Sequence, residues 1–165
     1  MGMEEPDGRL STAVEPATSP DETTEKQHVF MFTRKHTLHP SLLDSELGRS
    51  VPVSELRTLD RLATTVQIDA GDEIMHADDF GRECFVVIDG EFEIQLDDDT
   101  ITVRSGAVIG ELALLTLKRR TASVVATADS SVYVLNRAEF ATVLDVCPKL
   151  SRHVLDGAVR RAVAA

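Results

Sequence analysis

The sequence predicts a mainly β fold with flanking helices: an eight-stranded antiparallel β-roll, jelly-roll-like in type. Three observations lead there. Glycines recur at Gly71, Gly81, Gly90, Gly106 and Gly110, and short runs rich in Val, Ile and Phe lie between them. Glu91-Phe92-Glu93-Ile94-Gln95-Leu96 alternates polar and apolar for six residues, the period of a half-buried strand. Glycine is then absent between Gly110 and Gly157, where the pattern turns helical. Short strands with turn signals this regular specify a sandwich or a roll.

Each element follows in order. Residues 1–40 hold four of the six prolines and seven acidic side chains, with a single apolar knot at Val29-Phe30-Met31-Phe32. Such a composition cannot bury enough surface to offset chain entropy, so this part is expected to be a disordered acidic arm. Residues 41–165 are expected to form one domain. It opens with a helix pair: Leu42, Leu43 and Leu47 mark a short first helix. The second follows Ser50, with Pro52 in its first turn and Leu56, Leu59 and Leu62 on one face. Strands are expected at Val66–Asp69, Glu73–Met75, Cys84–Ile88, Glu91–Leu96, Thr100–Val103, the run into Gly110, Thr121–Ala126 and Val132–Leu135. Asp97-Asp98-Asp99 reads as a solvated hairpin turn, because it lacks the spaced ligands and distal Glu of a calcium loop. Two helices close the chain: Glu139–Val146, a break at Pro148, and a run to about Val163. In that last run Leu150, Val154, Leu155, Ala158, Val159 and Ala162 form one apolar stripe.

Composition bounds the function. Lys and Arg total 17 against 28 Asp and Glu, a net charge of −11. A general nucleic-acid binder needs surplus cations for phosphate contacts, and DNA is therefore not an expected partner. With no Trp and 4% aromatic residues, a stacking platform for single strands is also excluded. No apolar run reaches the length of a membrane span and no signal peptide is read, so no membrane association is expected. Cys84 and Cys147 have no CxxC spacing and no neighbouring His, and are expected to be reduced thiols of a cytoplasmic protein.

The chemistry is concentrated in Val108–Val124. A strand end runs into Gly110, and Glu111 to Leu115 supply about one helical turn. A basic loop then leads to Arg120-Thr121-Ala122-Ser123. A helix start offers free N–H groups to an anion, and a preceding glycine lets the anion approach. Arg120 can give a fork of donors to a phosphate beside the Thr121 and Ser123 hydroxyls. Glu111 would repel phosphate, and its presence is explained if it accepts a hydrogen bond from a sugar hydroxyl.

At these residues the sequence resembles the phosphate-binding cassette of the cyclic-nucleotide-binding domain family. Gly110-Glu111-Leu112-Ala113-Leu114 and Arg120-Thr121-Ala122-Ser123 match the two halves of its pattern. Gly81 with Phe85-Val86-Val87 and Gly90 matches the upstream part. The resemblance covers roughly residues 50–163. It implies that Arg120 pairs with the cyclic phosphate and Glu111 accepts the ribose 2′-OH. The Leu112 and Ala113 amides and the Thr121 hydroxyl complete the cage, with Gly110 and Ser123 beside them. It also implies a base contact for Arg161 on a C-terminal lid helix; the other reading is a solvated Arg at a helix end. Where many relatives have Pro, this chain has Arg119, which adds positive charge at the mouth.

The expected function is a stand-alone regulatory protein, not an enzyme, that binds cyclic AMP, with cyclic GMP possible, and reports occupancy to an unknown protein partner. The short final helix favours a monomer. The alternative is an interaction protein that keeps the fold with its pocket empty. A metal-dependent β-roll enzyme would need clustered His and carboxylate ligands. His28, His36, His39, His76 and His153 are dispersed with no His-x-His, so no metal site is expected.

Overall fold

The computed structural model describes residues 37–164. The expected arm up to residue 36, with its Val29–Phe32 knot, lies outside the described residues. The packed part includes Leu38, which is 7% exposed, three residues before the expected start at Ser41. Three helices open the domain: α1 (Pro40–Asp44), α2 (Glu46–Ser50) and α3 (Val53–Leu62). The pair expected from sequence is a trio because Ser45 interrupts the first helix. Its hydroxyl donates to the Leu42 carbonyl at 2.6 Å, ending α1, and accepts from the Gly48 amide at 3.1 Å, starting α2. A serine that satisfies both helix ends makes the break cheap.

Eight strands follow: β1 (Thr64–Ile68), β2 (Glu73–Met75), β3 (Glu83–Asp89), β4 (Glu91–Gln95), β5 (Thr100–Arg104), β6 (Val108–Ile109), β7 (Ser123–Ala126) and β8 (Ser130–Asn136). Helix α4 (Glu111–Thr116) interrupts them between β6 and β7, and α5 (Arg137–Val146) and α6 (Pro148–Ala164) close the described chain. The strands form two antiparallel four-stranded sheets, in the orders β1-β8-β3-β6 and β2-β7-β4-β5. Thr121 and Ala122, expected in a strand, stand before β7.

The first sheet is covered on both faces. Along β3, Phe85 and Val87 enter the interior of the roll with Phe92, Val124 and Val132, whereas Cys84, Val86 and Ile88 pack outward against the helices. Because successive strand residues face opposite ways, a strand buried on both sides reads as the unbroken apolar run Cys84–Ile88. The β4 strand, with one face to solvent, reads as the alternation seen above. Each fully buried Leu or Phe contributes about 1.5–3 kcal/mol, so the outer layer of α3, α5 and α6 is part of the core.

That layer also fixes the C-terminal helices. Asn136 caps α5 in a reciprocal capping box with Glu139, a device that contributes about 1 kcal/mol. Helix α6 starts at Pro148, and the Glu55 carboxylate of α3 accepts from the Lys149 and Leu150 amides at 3.2 and 2.8 Å. An anion there satisfies orphan donors and complements the helix dipole. Of the expected α6 stripe, Leu150, Val154 and Ala158 are buried, while Leu155 and Val159 are exposed. Cys84 and Cys147 are free and buried, and burial pushes both thiols up from their ordinary range.

Candidate functional site

The site grows from two glycines. Gly110 joins β6 to α4 with φ +87°, a left-handed conformation that glycine adopts without the Cβ penalty. A Cβ on Gly110 would lie 2.5 Å from Nη1 of Arg120. A Cβ on Gly81, in the loop before β3, would lie 2.5 Å from the Ala113 Cβ and 3.2 Å from the Arg120 guanidinium carbon. Three segments therefore meet at distances that leave no room for a side chain at either position.

Arg120 sits at this junction, 7% exposed. Its Nη1 donates to the Gly110 carbonyl at 2.9 Å and its Nη2 to the Glu83 carbonyl at 2.6 Å. Its own backbone is zipped to the loop before β3, with its N–H donating to Asp79 O at 2.8 Å and its carbonyl accepting from Asp78 N at 2.9 Å. Burial pulls the guanidinium pKa down from its ordinary value, and the nearby Glu83 carboxylate opposes that. A guanidinium has five N–H donors, so the two carbonyl bonds leave three for an anionic oxygen. Beside Arg120 lies a cavity of about 260 Å³, lined by Glu73–Met75 of β2 and by His76, Asp79, Phe80, Arg82 and Glu83.

Glu111, the first residue of α4, is 2% exposed. Its carboxylate accepts from Nη2 of Arg161, in the last turns of α6. Helix α6 runs unbroken through Gly157, and a Cβ there would lie 3.4 Å from the Arg161 guanidinium. Arg161 thus lies back along its own helix over Gly157 to reach Glu111. Among the described residues it is the one side-chain hydrogen-bond partner of that carboxylate.

Of the residues singled out from sequence, Gly110, Glu111, Leu112, Ala113 and Arg120 come together as one cradle around the start of α4. Arg161 joins them through Glu111. The Ser123 hydroxyl oxygen accepts from the Ala77 amide at 2.9 Å, which ties β7 to the loop before β3 and leaves its O–H to donate. Thr121 is exposed at the end of the basic loop. Arg119 does not point freely into the mouth: it lies 4.0 Å over the Phe80 ring and donates to Asp78 O at 2.8 Å. His76 pairs with Glu73 at 2.9 Å, and no cluster of three or more metal-ligating side chains occurs among the described residues. No helix among them is long and apolar enough to cross a membrane. Sequence reasoning missed the Glu83 and Gly81 carbonyls, the Phe80 ring and Arg137. The carbonyls have no side-chain signature, and Arg137 has no motif around it.

Comparison with known proteins bears on the family and the fold. A family model for the cyclic nucleotide-binding domain matches residues 65–146, from β1 to the end of α5. The cGMP-dependent protein kinase, isozyme 1, of Drosophila melanogaster is 26% identical over 123 residues, which are 73% of this chain and 16% of that protein. The cAMP-dependent protein kinase regulatory subunit of Hypocrea atroviridis is 28% identical over 114 residues, 68% of this chain and 25% of that protein. The chain thus spans a quarter or less of these curated relatives. A solved structure from a cyclic-GMP-dependent signalling pathway that regulates bacterial phytopathogenesis aligns with a TM-score of 0.61 at 26% identity, covering 68% of this chain and 94% of that one. The Thermus thermophilus Catabolite Activator Protein aligns with a TM-score of 0.62 at 19% identity, covering 75% of this chain and 59% of that one; this second likeness concerns the fold.

Proposed function

Because the chain belongs to the cyclic nucleotide-binding domain family, we propose that it is a regulatory receptor for a cyclic purine nucleotide. The cyclic phosphate binds Arg120 and the amides of Leu112 and Ala113, and the ribose 2′-OH donates to Glu111. The observation that carries this reading is the buried Arg120: its hydrogen bonds go to two carbonyls, which leave three N–H donors for an anionic oxygen. A buried cation held this way is matched by an anion. The site binds and performs no bond-breaking step. Cyclic AMP is the first ligand proposed. Cyclic GMP is the comparison, because some relatives are named for cyclic GMP. Occupancy is reported by α6, since the carboxylate offered to the ribose is the one that Arg161 holds.

One observation favours a second reading, an interaction module with a closed pocket: Arg161 already satisfies Glu111. Thermal unfolding separates the two. A ligand at a hundred times its dissociation constant adds about 2.7 kcal/mol, and at about 2–4 °C per kcal/mol the midpoint rises by roughly 5–10 °C. A rise with cyclic AMP supports the receptor. A rise with cyclic GMP alone changes the base and keeps the site. No rise with either at millimolar concentration promotes the interaction module.

A further inference from the structure

Arg137 stands in the first turn of α5, where a cation opposes the helix dipole and a carboxylate would be favoured. Its side chain compensates at a distance. Nη1 donates to the Leu114 carbonyl at 3.2 Å and Nη2 to the Gly81 carbonyl at 3.0 Å. Leu114 lies in the last turn of α4, whose carbonyls have no partner within the helix. Arg137 therefore caps the C-terminal end of α4 with the charge sign that end prefers.

The two carbonyls it joins belong to the same two segments that Arg120 joins. Arg120 links Glu83 in β3 to Gly110 at the start of α4; Arg137 links Gly81, two residues earlier, to Leu114 near the end of α4. A six-residue helix is thus held at both ends against one short segment, residues 81–83. The second tie comes from α5, whose start is itself fixed by the capping box of Asn136 and Glu139. We propose that Arg137 is a positioning residue of this site. It sets the place of α4, and so of the groups that receive the nucleotide, and it carries any shift of α4 into α5. It touches no ligand and acts through the Leu114 carbonyl. The positioning part stands on the geometry alone; the part concerning nucleotide rests on the function proposed above.

The test compares Arg137→Ala and Arg137→Lys with the wild-type chain. Because the Arg137 side chain is at the surface of α5 and the roll core lies elsewhere, both variants are expected to fold. Without nucleotide, amide hydrogen exchange over residues 112–117 should quicken by about tenfold in Arg137→Ala, with β1 and α3 unchanged, since a hydrogen bond from a charged group is lost. Arg137→Lys keeps the charge without the fork that reaches both carbonyls, and should fall between. Calorimetry with cyclic AMP should show affinity reduced about 3- to 30-fold in the Ala variant, while its melting point moves by less than about 5 °C. Unchanged exchange over 112–117, or equal quickening across the whole domain in both variants, overturns the positioning role. Quickened exchange with unchanged affinity overturns its link to the ligand. Should the wild-type chain bind no cyclic nucleotide, the proposed function fails, and the exchange result still decides Arg137.

Discussion

At one end of the cradle Arg120 is held by two backbone carbonyls of the roll itself, whereas at the other end Glu111 is held by a side chain from α6. The carbonyls of Gly110 and Glu83 cannot move without disturbing β6 and β3, so the Arg120 end is held by the strands themselves. The carboxylate end depends on where α6 lies. That helix is anchored at its start by Glu55 and buries Leu150, Val154 and Ala158. The Arg161 side chain is about half exposed, at 47%, against 2% for Glu111. Under the proposed function both ends hold the ligand, but only the contingent Glu111 end is coupled to α6, so the response is assigned to that end.

The largest effect should come from breaking the fixed end. Arg120→Ala removes the guanidinium proposed to hold the phosphate. Hydrogen bonds to charged groups contribute about 1.5–3 kcal/mol each, so two lost bonds reduce affinity at least about a hundredfold. Calorimetry should show the same factor for cyclic AMP and cyclic GMP, which share the phosphate. Arg120→Lys, which keeps the charge without the fork, separates loss of binding from loss of the bonds to Gly110 and Glu83. A loss confined to one nucleotide would move Arg120 from the phosphate to the base.

Breaking the contingent end should show in stability first. Arg161→Ala leaves Glu111 buried without its side-chain partner, at a cost of about 1–3 kcal/mol. At about 2–4 °C per kcal/mol the melting point falls by roughly 2–12 °C. Cyclic nucleotide returns a partner to Glu111, so the ligand-induced rise should exceed that of the wild-type chain by several degrees. If the variant melts with the wild type and shows the same rise, the Arg161–Glu111 pair has no part in the response.

The same contrast explains what could be read from sequence. Gly110–Leu114 and Arg120–Ser123 were legible because each half is contiguous and its residue types are chemically specific. Strand β3 was legible from its unbroken run, and β4 from its alternation. The Glu83 and Gly81 carbonyls were not, since any residue supplies a carbonyl and only the fold decides which one meets an arginine. Arg137 reaches Gly81 across 56 positions, beyond any local pattern. The α6 stripe was read too widely: period alone put Leu155 and Val159 with the core, but the neighbouring elements cover only the Leu150, Val154 and Ala158 face. The break at Ser45 turned on one hydroxyl that serves two helix ends. Arg161 was placed on the correct helix, and its partner Glu111 could only come from the packing of α6 against α4.

The central claim is that Glu111 and Arg120 hold the sugar and the phosphate of one ligand, and a four-titration calorimetric cycle tests it most directly: wild type and Glu111→Ala, each with cyclic AMP and with 2′-deoxy cyclic AMP. A site built to bond a hydroxyl rejects the analogue that lacks it, so the wild-type chain should bind the deoxy ligand at least about tenfold more weakly, with the coupling of a hydrogen bond to a charged group. The Glu111→Ala chain should bind both ligands almost equally. Equal discrimination by the two proteins would contradict the account.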